Sequence, residues 1–138
     1  MTLSPPHPIN TDHILALFDS GRTSLDDWLK QRALKNEIAG ASRTYVVCDD
    51  SAANANVVGY YCLISGSVEH RQAPGRVRRN MPDPIPVMLM GRLAIDRTQQ
   101  GKGLGSALLK DSILRTLKAA EFAGIRALLV HALDEHAA

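Results

Sequence analysis

Three consecutive phrases decide how this chain folds: VMLMGRLAID (Val87–Asp96), RTQQGKGLG (Arg97–Gly105) and SALLKDSILRTL (Ser106–Leu117). The first is an apolar, strand-like run broken by Gly91. The second is a glycine-dense turn, and the third has helical spacing with neither Gly nor Pro. A turn of that kind opening into a helix suits an anion. Residues 101 to 106 present successive main-chain N–H groups that have no upstream carbonyl to bond, at the positive end of the helix dipole. Gly101, Gly103 and Gly105 carry no Cβ to hold off a bulky diphosphate, and they tolerate the angles of a tight loop.

The common phosphate motifs fit this turn badly. A Walker loop requires Gly-Lys-Ser/Thr, and Lys102 is followed by Gly103. The dinucleotide fingerprint matches only in its first Gly-x-Gly, and no acidic residue ends a second parallel strand at the usual distance. What fits is Q-x-x-G-x-G, from Gln100 to Gly105, after the strand RLAID. In this the chain resembles the coenzyme A loop of the GNAT acetyltransferases. The resemblance implies an α+β fold with a mixed, mostly antiparallel sheet flanked by helices, and acetyl-CoA as cofactor. It implies cofactor contacts from Gln100, Gly101, Lys102, Gly103, Leu104, Gly105 and Ser106 in the loop, and from Leu93, Ala94 and Ile95 on the central strand. In that fold two parallel strands splay and the pantetheine arm pairs with the free edge of the central strand. Gly91 fits the bulge that forces the splay.

The rest of the chain is consistent with this plan. At 138 residues and 45% hydrophobic content, residues 1–138 are expected to form one domain with a single core. No apolar run approaches ~20 residues, and the proline-rich start has no basic-then-apolar layout, so a cytoplasmic protein without a spanning helix is expected. Cys48 and Cys62 lie in strand-like segments without metal-ligand spacing and read as reduced packing residues, so no metal is expected. Residues 11–18 suit a short helix. TSLDDWLKQRALKNEIAG suits a longer one, capped by Thr23 or Ser24, striped by Leu25, Trp28, Leu29 and Leu34, and stopped by Gly40. Trp28 reads as a core anchor. RTYVVC (43–48) and VVGYYCLISG (57–66) read as paired strands, and IRALLVHAL (125–133) as a last strand. His70 beside Glu69 is a poor acid/base pair, because neighbours in an extended chain face opposite ways.

Residues 66–86 break the pattern. Four of the seven prolines and four arginines, Arg71, Arg76, Arg78 and Arg79, fall in or at the edge of this stretch. Eleven of the sixteen basic residues are Arg, the side chain suited to bidentate phosphate contact. A solvated, proline-stiffened loop is one reading. The other is a phosphate-tracking surface that draws a polyanion to the acyl site, and Arg76, Arg78 and Arg79 are then the candidate RNA contacts. The loop has no aromatic residue for base stacking, so it points to backbone and shape recognition of a folded RNA.

The resemblance narrows on APGRVRRNMPDPIPVMLMGRLAID, SLDDWLKQRALKNEIAGASRTYVVC and LLVHAL, which are similar to the GNAT toxins of bacterial toxin–antitoxin pairs, the TacT and AtaT groups. It implies acetylation of the α-amine of an aminoacyl-tRNA and restraint by a ribbon-helix-helix antitoxin. In that family a tyrosine in a phrase like FYxRxGF, on a helix after the last strand, protonates the leaving thiolate. No such phrase occurs up to Ala138, and Tyr45, Tyr60 and Tyr61 lie on other elements. The expectation is therefore a C-terminally truncated and inactive form, with His131 as the weaker candidate acid. Its last strand is expected to have an uncovered edge that favours a homodimer. Two alternatives stay open: a GNAT enzyme for a protein N-terminus or small amine, and a non-catalytic module that binds antitoxin or coenzyme A.

Overall fold

A computed structural model describes residues 3–50, 55–68, 85–123, 125 and 128–130. Its elements are β1 (His7–Pro8), α1 (Thr23–Trp28), a π-helical turn (Leu29–Ala33), α2 (Leu34–Ala39), β2 (Arg43–Asp49), β3 (Asn56–Val68), β4 (Ile85–Ile95), a 3-10 turn (Arg97–Gln99), α3 (Leu104–Ala123) and β5 (Leu128–Val130). The sheet runs β1-β2-β3-β4-β5. The first three pairings are antiparallel and the last, β4 with β5, is parallel. This is the mixed, mostly antiparallel sheet that the sequence implies.

Alternation along the strands divides the core between two faces. Val46, Cys48, Tyr60 and Ala94 pack with Phe18, Leu25, Leu29 and Ala33 on the α1/α2 face. Val47, Tyr61, Leu63 and Met90 pack with Leu108 of α3 on the other. Gly59 lets α3 approach: a Cβ there would stand 3.3 Å from Ile95 Cδ1, Leu104 Cδ2 and Leu108 Cδ1 alike. A polar tie fixes α3 on this face. The Tyr61 hydroxyl donates to Asp111, Arg115 Nε donates to the same carboxylate at 2.9 Å, and the Arg115 guanidinium lies 4.0 Å over the Tyr45 ring.

Several local expectations are corrected. Residues 11–18 form turns rather than a helix, because their main chain bonds outward. Ile14 N–H donates to Ala55 O at 2.9 Å and Val57 N–H donates to Ile14 O at 3.0 Å. Neither Thr23 nor Ser24 caps α1. Its N-cap is Arg22, whose side chain makes no capping bond, while Asp26 reaches back to accept from the Ser20 hydroxyl at 2.6 Å and from Ser20 N–H. The helix runs on through the π turn to Gly40, which ends it in the left-handed conformation (φ 76°) as expected. β3 and β4 pair further than the sequence suggests. Gly66, Ser67 and Val68 face Val87, Pro86 and Ile85, so the arginine-rich connection is shorter than residues 66–86. The arginines at 71, 76, 78 and 79, with Glu69, His70 and His131, lie outside the described residues.

Candidate active site

The site lies along β4 beyond its described pairing with β5. Among the described residues β5 pairs with β4 over Met88–Met90. At the next residue the β3–β4 register slips: Cys62 faces Arg92 and Leu63 faces Met90, which leaves Gly91 as the extra residue of a bulge. This is the bulge the sequence assigned to Gly91. A Cβ at Gly91 would lie 3.4 Å from Cys62 Sγ and 3.7 Å from Ile64 Cδ1, so the bulge packs closely on β3. Beyond it β4 continues to Ile95, and among the described residues no strand pairs with that stretch on the side away from β3.

The direction of its main-chain groups follows from one bond. Asp96 N–H donates to Val58 O at 2.8 Å, toward β3. By alternation the N–H and C=O of Ile95 and Leu93 point the other way, to the free edge, while those of Ala94 face β3. The loop that follows is braced at its stem. Asp96 accepts from Thr98 N–H at 3.1 Å, from the Thr98 hydroxyl at 2.7 Å and from Asp19 N–H at 2.8 Å. Arg97 N–H donates to Asp19 O at 2.8 Å. Gln100 Nε2 donates to Ile95 O at 2.9 Å and to Ser20 O at 2.8 Å.

Past this stem the chain reverses through Gly101 (φ 77°) and Gly103 (φ 85°), both in the region that favours glycine. Nothing lies within 4 Å of a Cβ built at either, so the cradle is open. A Cβ at Gly105 would make an ordinary contact with Ile95 Cγ1 at 3.9 Å, where the first turn of α3 meets the end of β4. Lys102 and Ser106 are exposed and Leu104 is half-buried. Ala107 N–H is bonded to Gly103 O at 3.1 Å. The N–H groups before it form the unpaired first turn of a 20-residue helix, which can hold an anion. An acyl group lying along the β4 edge would meet the N–H of Leu93 or Ile95 as an oxygen-polarising donor.

None of the three tyrosines is placed to serve that edge as an acid. Burial pushes the Tyr60 phenol far up, and its hydroxyl donates to Leu25 O at 2.6 Å. Burial and the bond to Asp111 do the same for Tyr61. Tyr45 stacks on Tyr61 and beneath Arg115. Cys48 and Cys62 are buried free thiols in the sheet, and burial raises Cys48 to about 11.

Two features escaped the sequence. The Asp19–Ser20 segment braces the glycine loop from 80 residues away, and nothing in its composition marks it. At the opposite edge of the sheet, His7 Nδ1 donates to Pro5 O at 2.9 Å while Asn10 N–H donates to His13 Nδ1 at 3.0 Å. These bonds leave His13 to share its Nε2 proton with His7 Nε2, 2.8 Å away. Cys48 Sγ lies within 4.8 Å of both rings' ligand atoms.

A parallel strand added to an antiparallel meander, with an anion loop at the head of the crossover helix, is the arrangement of a GNAT-class acyltransferase. No protein-family model matches the chain. Its sequence is 54% identical over 134 residues to a tRNA-acetylating toxin of Mycobacterium tuberculosis, covering 97% of this chain and 78% of that protein. Its fold superposes on AtaT complexed with acetyl-methionyl-tRNAfMet with a TM-score of 0.89 and 29% identity, covering 99% of this chain and 81% of that one. An AtaT point mutant bound to the C-terminus of the antitoxin AtaR and acetyl-CoA matches with a TM-score of 0.83 and 29% identity, over 98% and 78%. The chain belongs to the tRNA-acetylating GNAT toxins of toxin–antitoxin systems.

Proposed function

We propose that this chain transfers the acetyl group of acetyl-CoA to the α-amine of an aminoacyl-tRNA in the cytoplasm, and so blocks translation. The observation that carries the reading is the β4 edge past Met90, unpaired among the described residues, beside an open glycine cradle. The main-chain N–H groups of Leu93 and Ile95 bind along the thioester arm, with Ala94 between them. Gln100, Gly101, Lys102, Gly103, Leu104, Gly105 and Ser106 enclose the pyrophosphate. The substrate amine attacks the thioester carbon, a C–N bond forms as the C–S bond breaks, the nitrogen gives up one proton, and the sulfur leaves as a thiolate that takes one up. Arg76, Arg78 and Arg79 track the RNA backbone. A homodimer and a ribbon-helix-helix antitoxin complete the assembly. Both the family and the AtaT complexes with acetyl-methionyl-tRNAfMet and with AtaR support this reading.

Labelled acetyl-CoA incubated with the chain and a panel of charged tRNAs tests it. Label on the aminoacyl moiety of at least one tRNA would support it over the inactive form expected from the missing tyrosine phrase. Label on peptide N-termini or small amines alone would overturn it.

A further inference from the structure

The bulge at Gly91 decides which face Arg92 occupies. Met90 packs on the α3 face, and in a regular strand a residue two further on shares that face. The extra residue shifts the alternation, so Arg92 pairs with Cys62 and points to the α1 face, as Ala94 does. There its guanidinium lies 4.8 Å from the Trp28 ring centroid. Trp28 is itself stacked on Tyr60, at 5.9 Å and 11°, and the Tyr60 hydroxyl is anchored on Leu25 O. Arg92 is thus a half-buried cation on a rigid aromatic support, carried by the residue next to Leu93, whose backbone lies ~3.3 Å further along the strand.

Its charge is unanswered among the described residues. Arg43 pairs with Glu37, Arg97 with Asp19 and Arg115 with Asp111. No acidic side chain pairs with Arg92 there, and Asp26, the buried carboxylate of that face, is bonded to the Ser20 hydroxyl and N–H. A half-buried guanidinium keeps part of its water and gains from an anion that supplies a charged partner. Stacking on Trp28 occupies a face of the guanidinium and leaves its edge N–H fork for two oxygens of one group.

We propose that Arg92 binds a phosphodiester in the single-stranded 3′ end of the acceptor RNA, adjoining the edge where the acetyl group is presented. This rests on the aminoacyl-RNA reading above and names a contact within it. In an aminoacyl-RNA the reacting amine hangs from the terminal ribose, and the anions nearest to it are the last phosphodiesters of the unpaired tail. A cation one residue from the acyl edge meets those phosphates and not the ones of the paired stem.

The test is binding of two deacylated acceptor-stem minihelices, one with its single-stranded 3′ tail and one blunt, across a salt series. Arg92→Gln should lose ~10-fold in affinity for the tailed RNA, flatten its log K against log salt slope by ~0.7, the share of one single-strand phosphate, and leave the blunt RNA unaffected. Arg92→Lys should keep the slope and lose only ~3-fold, since it retains charge without the planar fork. That milder variant decides the matter if the Gln variant does not fold. Equal losses on both RNAs, or none on the tailed one, would overturn the proposal. Wild-type protein that binds neither RNA would overturn the RNA reading itself and this contact with it.

Discussion

Gln100 Nε2 donates at once to Ser20 O (2.8 Å) and Ile95 O (2.9 Å), so one side-chain amide joins the glycine loop, the end of β4 and the segment entering α1. Both amide protons are used, and both acceptors are main-chain carbonyls. Gln100→Ala should loosen the cradle and weaken acetyl-CoA binding by ~1–2 kcal/mol, the value of two neutral hydrogen bonds. Gln100→Glu should cost more, because a carboxylate would face two carbonyl oxygens. Titration calorimetry compares them, and an unchanged affinity for the Ala variant would show that the backbone alone shapes the loop.

Gly103 combines a φ of 85° with open space where a Cβ would stand. A side chain there strains the backbone without a clash, and Asn and Asp tolerate that conformation better than other residues. The two therefore make a matched pair. Gly103→Asp should weaken acetyl-CoA binding by at least ~2 kcal/mol through its charge against the pyrophosphate. Gly103→Asn should lose much less. Equal behaviour in calorimetry would assign the effect to backbone strain.

What the sequence disclosed follows how local the physics is. The phrase GRLAIDRTQQGKGLG carries its own signals, an interrupted apolar run and then glycines opening a helix, and so the bulge, the turn and α3 were all legible. β1 was not: two residues, one of them Pro8, pair as an edge strand with Tyr45 and Val46, and no periodicity can mark so short an element. Residues 11–18 look helical by composition, yet Ile14 finds its bonds at Ala55 and Val57, a tertiary choice that propensity cannot foresee. The same holds at the site. The glycines were visible, while the Asp19–Ser20 brace and the Trp28 platform under Arg92 exist only once distant segments meet.

Gly59 shows this from the packing side. Three terminal methyl groups already stand 3.3 Å from its Cβ position. Gly59→Val should therefore push α3 away from the sheet at the point where the helix begins its cradle, destabilising the fold by ~1–3 kcal/mol. Denaturant unfolding measures the loss, and acetyl-CoA affinity should fall with it. A variant as stable as wild type would mean that Ile95, Leu104 and Leu108 repack freely.

The His7–His13 pair predicts a pH dependence remote from catalysis. Burial, and then the neighbouring His7, hold His13 below its ordinary value of 6.5, against a smaller opposing pull from Asp12. A base with a lowered folded pKa is neutral in the native state and binds its proton more readily when unfolded. Its contribution is therefore intact above the unfolded value and is lost as pH falls below it. The thermal midpoint should decline on acidification from about pH 7.5 to 5 more in wild type than in His13→Gln. Parallel curves for the two proteins would remove His13 from the account.

The arginine-rich connection makes the last prediction, and it must be separable from Arg92. Arg76, Arg78 and Arg79 occupy four sequence positions between prolines, with Glu69 and Asp83 as the acidic residues nearest to them. Such a cluster acts on a polyanion through counterion release, which is indifferent to whether a given phosphate belongs to a stem or a tail. Replacing all three by Ala should weaken binding of tailed and blunt acceptor-stem RNA alike and flatten both salt slopes, by up to ~0.9 for each duplex phosphate that is no longer neutralised. Acetyl-CoA affinity should stay unchanged, because the cradle is built from β4, the glycine loop and α3. An unaltered slope in the triple variant would sink the RNA-contact role of the loop. A loss confined to the tailed RNA would instead place these arginines beside Arg92 at the 3′ end.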